Sequence, residues 1–311
     1  MRAVALDDFD GPPTLHDLPT PTPGPGEVLI RIQASSVNGF DLAVASGMIK
    51  GYMEHQFPVV LGRDFAGMVE ATGPDVSRFA VGDQVFGVVL KQVIHDGAFG
   101  EYVTMPEAYG VTKIPDGLDM ASAGALGLAG IAALMSVEAV APSAGETVLI
   151  SGATGGVGAC AIQMCVSRGA NVIATAKLGA EADFVHGLGA ATTVDYTEDV
   201  VGAVRAECPN GVDALIHLAG DANQLADTVK SGGRLVSTLI LSPDAFAGRP
   251  ISASGIAGDP SVARLDRLAE DAAAGRLRIA IQRTYALEQI PQAFADFAAG
   301  TIGKLAVTIA S

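Results

Sequence analysis

The chain has 311 residues, 49% apolar and 17% charged, with no tryptophan. That composition excludes a disordered chain, and the length favours two domains over a single core. A formal charge of −15 argues against nucleic-acid or anionic-membrane binding, which need basic surfaces, so local groups must hold any phosphate.

The first third reads as β-rich. Short apolar runs at 1–6, 28–34, 68–71, 84–89 and 101–105 are punctuated by Gly and Pro, the spacing of a small irregular barrel. Between the first two lies Pro19-Thr-Pro-Thr-Pro-Gly-Pro-Gly26, which suits neither a helix nor a central strand and predicts an extended loop. The apolar run at 3–6 is too short for a signal-peptide core. Three cysteines, Cys160, Cys165 and Cys208, make no disulfide framework, and together these features predict a cytoplasmic protein. Cys160 and Cys165 share a predicted helix and point about 140° apart on it, which rules out joint ligation. The run 121–140 has nearly the length of a membrane span. It is rich in Ala and Gly and contains Glu138, and it predicts a buried helix instead.

From residue 119 buried strands alternate with helices. Strands are predicted at 147–151, 171–175, 193–195, 212–217 and 234–239, with helices at 159–168 and 180–188. Continuous apolar strands separated by helices mark a parallel sheet covered on both faces. Asp259-Pro260 then supplies an N-cap and first helical residue for a helix carrying Leu265, Leu268, Ala269 and Ala272 on one face, ended by Gly275. The segments 286–299 and 305–309 return to the first domain. The expected division is therefore 1–118 with 252–311, and 119–251.

The strongest functional signal is Ser151-Gly-Ala-Thr-Gly-Gly-Val-Gly158, which joins a buried strand to a helix. A glycine turn in that context lets backbone N–H groups approach a pyrophosphate at a helix N-terminus. Ala153 stands where the first glycine of a strict GxGxxG would fall, and Gly152 supplies a GxxGxxG register instead. Gly152, Ala153, Thr154, Gly155, Gly156 and Val157 are the expected pyrophosphate contacts. An NAD site usually carries an acidic residue at the end of the second strand. Here Lys177 follows that strand and Glu181 arrives only on the next helix, so the pattern favours the 2′-phosphate of NADPH. Tyr196, past the third strand, is placed to flank the adenine or reach the same phosphate. Leu218, Ala219, Ser237 and Thr238 fall at neighbouring strand ends and are expected to wall the nicotinamide. His217 is eligible there as a proton donor, although a structural histidine is the commoner case.

Four further segments join the glycine turn in the pattern: Ser36-Val-Asn-Gly-Phe-Asp-Leu42, Leu61-Gly-Arg-Asp-Phe-Ala-Gly-Met-Val-Glu70, Val81-Gly-Asp-Gln-Val-Phe-Gly87 and Gly97-Ala-Phe-Gly-Glu-Tyr-Val103. With these the chain resembles, along essentially its whole length, the medium-chain dehydrogenase/reductase superfamily, in its zinc-independent, zeta-crystallin-like quinone oxidoreductase branch. The resemblance implies an α/β protein with a GroES-like β-barrel catalytic domain and a Rossmann doubly wound parallel-sheet domain. It also implies NADPH as cofactor and a quinone or activated enone as hydride acceptor. Zinc-dependent members carry a cysteine just before the Asp-Leu pair and a Gly-His-Glu motif. This chain has Asn38-Gly39-Phe40 before Asp41-Leu42 and reads Gly62-Arg63-Asp64, so no metal is expected. Without zinc the acceptor must bring its own electrophilicity.

By the same resemblance Asn38 orients the nicotinamide ribose or an acceptor oxygen, and Gly303 and Lys304 lie near the cofactor. Tyr52 is a candidate proton donor, although displaced by three residues from the family tyrosine. Asp41 and Arg63 either steer substrate or form an internal ion pair, and the pair is the expectation. Alternatives are a non-catalytic NADPH-binding sensor or structural protein, or a related alcohol, aldehyde or enoyl-thioester reductase. The segment 250–256 predicts an edge strand able to pair with its copy in a homodimer.

Overall fold

The computed structural model describes residues 1–9, 11–239 and 245–310. Two compact units emerge, Met1–Ile131 with Asp259–Ser311, and Ala132–Gly258.

The first unit is built on antiparallel strands. Glu27–Ser36 forms its centre, pairing with Asp64–Thr72, Tyr102–Pro106 and Lys304–Thr308. Val28, Ile30 and Ile32 on that strand are buried with Phe65, Phe99, Leu305 and Val307 in one apolar cluster. Lys304–Thr308 also runs parallel to Ile281–Ala286, a strand the sequence pattern did not announce. The last strand thus returns to the first unit as its pattern predicts. No helix or strand crosses 18–26, as its prolines require.

The second unit carries six parallel strands in the spatial order Thr192–Val194, Asn171–Thr175, Thr147–Ile150, Val212–His217, Val229–Ser237 and Ser252–Gly255. Counted along the chain this is the order 3-2-1-4-5-6 of a doubly wound dinucleotide-binding sheet. Leu149, Ile173, Leu215 and Leu235 fill its core.

The boundaries differ from expectation. Ser252–Gly255 hydrogen-bonds to the parallel sheet, so the second unit extends past residue 251. Its four residues are exposed, as suits an edge strand. The other boundary, expected at 118/119, falls inside the helix Met120–Val140. Length and composition would let that helix cross a membrane, yet 72% of its apolar window is buried, as in a core helix. Asp119 caps it, accepting from Ser122 N–H (2.9 Å) and Ser122 Oγ–H (2.7 Å). The helix expected from Asp259-Pro260 begins later, at Val262, with Ser261 as N-cap. Asp259 is drawn off by Tyr109, whose hydroxyl donates to it (3.1 Å), and by an ion pair with Arg264. Gly275 ends the helix region with φ +72°, a conformation that favours glycine.

Candidate active site

In the second unit, Thr147–Ile150 delivers the chain into the glycine turn at the sheet's topological switch point. Ser151 is buried, and its Oγ accepts from Leu218 N–H (3.1 Å) and Ala219 N–H (3.5 Å), lashing together the ends of the first and fourth strands. Gly152 has φ +66°, and its N–H donates to Thr175 Oγ1 (3.0 Å) at the end of the second strand. A Cβ at Gly152 would also meet Ala219 Cβ at 3.1 Å. The helix Gly156–Ser167 starts three residues before the predicted Ala159, with Gly155 as N-cap and no side chain capping it. The first-turn N–H groups of Gly156, Val157 and Gly158 therefore have no acceptor within the helix. Gly158 is forced by packing, since its Cβ would lie 2.5 Å from Gly152 O and 2.6 Å from Ala153 Cα. At Gly155 the nearest neighbour would be Gly152 O at 3.6 Å, which is open ground. Ala153 is fully buried, whereas Thr154, Gly155, Gly156 and Val157 are half-exposed. An uncapped helix N-terminus reached through side-chain-free backbone fits the pyrophosphate of a dinucleotide.

Lys177 and Tyr196, expected at the far end of that dinucleotide, come together. Lys177 Nζ lies 5.1 Å from the Tyr196 ring centroid, and the Tyr196 hydroxyl donates to Glu181 Oε1 (3.1 Å). The Lys177 ammonium is held above its ordinary proton affinity by Tyr196 first and by Glu181 and Asp195 after it, so it remains a cation.

Ser237, expected to wall the nicotinamide, and His217, eligible as a proton donor, are engaged with each other. Ser237 is fully buried and its hydroxyl meets His217 Nδ1 (2.9 Å), while His217 Nε2 meets Gly220 O (3.0 Å). Because a carbonyl only accepts, Nε2 carries the proton and Nδ1 accepts from Ser237 in the neutral ring. His217 is thus a satisfied structural histidine, with Ser237 as its partner. Leu218 and Thr238 are half-exposed and Ala219 exposed, beside those strand ends.

In the first unit a polar cluster is buried where three strands end. Ser36 closes Glu27–Ser36, Asp64 opens Asp64–Thr72 and Lys304 opens Lys304–Thr308. Asp64 Oδ2 accepts from Ser36 Oγ (2.6 Å), Asn38 Nδ2 (2.9 Å) and Lys304 Nζ (3.4 Å), and Oδ1 accepts from Leu128 N–H (2.6 Å). A Cβ at Gly127 would lie 2.6 Å from Asp64 Oδ1, so glycine lets the helix come this close. Lys304 Nζ also donates to Asn38 Oδ1 (2.7 Å) and Val37 O (3.1 Å). Those three acceptors account for all three ammonium protons, so Lys304 is tied to Asn38, Asp64 and Val37. Gly303 is likewise a packing residue, with φ +95° and a would-be Cβ 2.4 Å from Ala280 O. Asn38 is 7% exposed, with its amide orientation fixed by a charge on each side.

The helix Gly39–Ala45 begins beside this cluster, and Asp41 Oδ2 accepts from Asn38 N–H (2.8 Å). Asp41 and Arg63 are both buried, but they do not form the direct ion pair expected. Arg63 Nη1 reaches Val89 O (3.2 Å) and Asp96 O (3.4 Å), and its guanidinium lies 5.1 Å from the Phe40 ring centroid. Asp41 Oδ1 and Arg63 Nε and Nη2 have no hydrogen-bond partner. Burial pushes the Asp41 carboxyl up to about 7, against the opposing pull of the Arg63 charge. Tyr52, by contrast, is 73% exposed and shares no hydrogen bond with the cluster. Among the described residues no group of three or more His, Cys, Asp or Glu side chains is arranged to hold a metal.

Sequence patterns missed Ser151, Thr175 and the central role of Asp64. Ser151 and Thr175 each close a strand on a polar residue, a usable signal. Nothing local marks Asp64 as the hub of contacts so distant in sequence.

Residues 24–116 match the model of the alcohol dehydrogenase GroES-like domain, and residues 188–307 match that of the zinc-binding dehydrogenase family. A quinone oxidoreductase of Sus scrofa is 30% identical over 98% of this chain and 97% of its own length. The structure of the quinone oxidoreductase from Coxiella burnetii superposes with a TM-score of 0.91 at 29% identity, over 100% of this chain and 99% of that one. A structure described as an NAD-dependent alcohol dehydrogenase gives 0.88 at 28% identity over 100% of both chains. The chain belongs to the medium-chain dehydrogenase/reductase family, as a quinone-oxidoreductase-like enzyme with a nicotinamide dinucleotide cofactor.

Proposed function

We propose that the enzyme is an NADPH-dependent reductase that passes hydride to a quinone or an activated enone without zinc. The observation that carries this is the glycine turn on a 3-2-1-4-5-6 parallel sheet, in a chain of the quinone oxidoreductase kind. When bound, the reduced nicotinamide supplies the hydride. The first-turn N–H groups of Gly156, Val157 and Gly158 hold the pyrophosphate, with Gly155 giving it close approach, and Lys177 with Tyr196 takes the 2′-phosphate. Asn38 orients the ribose or an acceptor oxygen, and Lys304 and Asp64 set its amide. Zinc independence is supported by donor chemistry: Asn38 offers an amide committed to Lys304 and Asp64, and Arg63 a guanidinium, neither of which is a zinc donor. Acceptors with their own electrophilicity suit such a site, where positioning does most of the work.

The test is NADPH oxidation by the purified enzyme against a panel of quinones and enones, with and without a chelator. Turnover insensitive to the chelator is expected, and no consumption of NADPH across the panel would refute the assignment. We place the enzyme in the cytoplasm as a homodimer, paired through the exposed strand Ser252–Gly255, with size in solution as the check.

A further inference from the structure

The second strand of the parallel sheet, Asn171–Thr175, ends without the carboxylate that reads an NAD ribose, yet the fold returns one to that place. Glu181, in the first turn of the helix Ala180–Gly187, accepts from Lys177 N–H through Oε2 (2.9 Å) and from the Tyr196 hydroxyl through Oε1 (3.1 Å). The backbone bond pins the carboxylate to the residue that follows the strand. Asp195 adds a second negative charge. Its proton affinity is lowered chiefly by the Thr197 hydroxyl and N–H, with a further contribution from the Lys177 charge. One cation therefore stands among two carboxylates.

The two forms of the cofactor meet this arrangement differently. A 2′-phosphate carries between one and two negative charges, and to use Tyr196 it must take the hydroxyl that Glu181 holds. It then rests beside two carboxylates with only Lys177 in its favour. A free 2′-hydroxyl is a donor, and Glu181 keeps unused acceptor capacity for it at the strand end where such a carboxylate is expected. We propose that Glu181 is a specificity-determining residue that opposes the 2′-phosphate and accepts from the free 2′-hydroxyl, so that the enzyme uses NADH as well as NADPH. This deepens the assignment of Lys177 to the 2′-phosphate and rests on it.

The experiment measures binding of NADPH and NADH to the wild type, Glu181→Gln and Lys177→Gln, with melting curves to show that each is folded. In Glu181→Gln, removal of a partly exposed charge tightens NADPH about two- to fivefold. Loss of a charged acceptor weakens NADH about fivefold, so the affinity ratio moves by about 10- to 25-fold. A ratio within about twofold of wild type in folded Glu181→Gln overturns the proposal. So does a wild type that binds NADH on the order of 1,000-fold more weakly than NADPH. Lys177→Gln is expected to weaken NADPH and spare NADH. Unmoved NADPH affinity in that variant overturns the phosphate assignment itself, a failure separable from any change in the NADH arm of Glu181→Gln.

Discussion

Alanine at Gly155 and at Gly158 should separate what the glycine turn does for the fold from what it does for the cofactor. At Gly158 the new Cβ would lie 2.5 Å from Gly152 O and 2.6 Å from Ala153 Cα, both backbone atoms. Relief needs about 0.9 Å of movement between turn and helix to restore ordinary contact. Overpacking of this kind costs ~1–3 kcal/mol, or roughly 2–12 °C in Tm. The same movement withdraws first-turn N–H groups from a bound pyrophosphate. Losing one hydrogen bond to a charged group, ~1.5–3 kcal/mol, weakens dinucleotide binding about 10- to 150-fold. At Gly155 φ is −72° and the nearest atom to a Cβ is 3.6 Å away, so the free protein accommodates alanine. The methyl group would stand where the backbone must approach the pyrophosphate. Gly155→Ala should therefore melt within about 2 °C of wild type and still bind NADPH at least about tenfold more weakly. Calorimetric melting and NADPH titration read the two effects. An unchanged affinity in Gly155→Ala would refute the placement of the pyrophosphate, and an unchanged Tm in Gly158→Ala would refute the packing argument.

Lys304→Met leaves the Asp64 carboxylate buried without its cation and frees Asn38 Oδ1; a loss of ~3–5 kcal/mol in chemical denaturation is expected, and a stability within about 1 kcal/mol of wild type would count against the cluster as described. Asp41 holds its proton up to about 7 in the native state against 3.8 in the unfolded chain, so its contribution to stability is lost as pH rises between those values, at up to ~1.4 kcal/mol per unit. Asp41→Asn removes that slope, and denaturation at pH 5 and pH 7.5 should show the variant gaining on wild type at the higher pH; parallel profiles would exclude the shift. Ser151→Ala strips the acceptor from the Leu218 N–H and is expected to cost ~1–3 kcal/mol by denaturant titration, and an unchanged stability would count against that bond.

Much of the second unit was legible because its strands are continuous apolar runs and its turn needs glycine for reasons visible in one short segment. The return of the last strand to the first unit was legible for similar reasons. The boundary inside Met120–Val140 was not, since Ala- and Gly-rich apolar sequence runs evenly through that helix. The early start at Gly156 was hidden by helix propensity, which disfavours the glycines that tertiary packing places in the first turn. The hydrogen-bond partners of Lys304 were not legible. Its ammonium serves Asn38, 266 residues earlier, and no local pattern encodes that pairing. Likewise the hydrogen bond between Ser237 and His217 joins neighbouring strand ends, a pairing no local pattern announces.

The cluster around Asp64 also sets an order of assembly. Ala132–Gly258 is contiguous in sequence, whereas the other unit is completed only by residues from 259 onward. Until Lys304–Thr308 docks against Glu27–Ser36, the Asp64 carboxylate lacks its cation and Asn38 has no fixed orientation. Closing so long a loop is slow relative to local contacts. The parallel-sheet unit is therefore expected to form before the polar cluster does, and a chain interrupted short of its last strand would leave Asp64 buried without its cation.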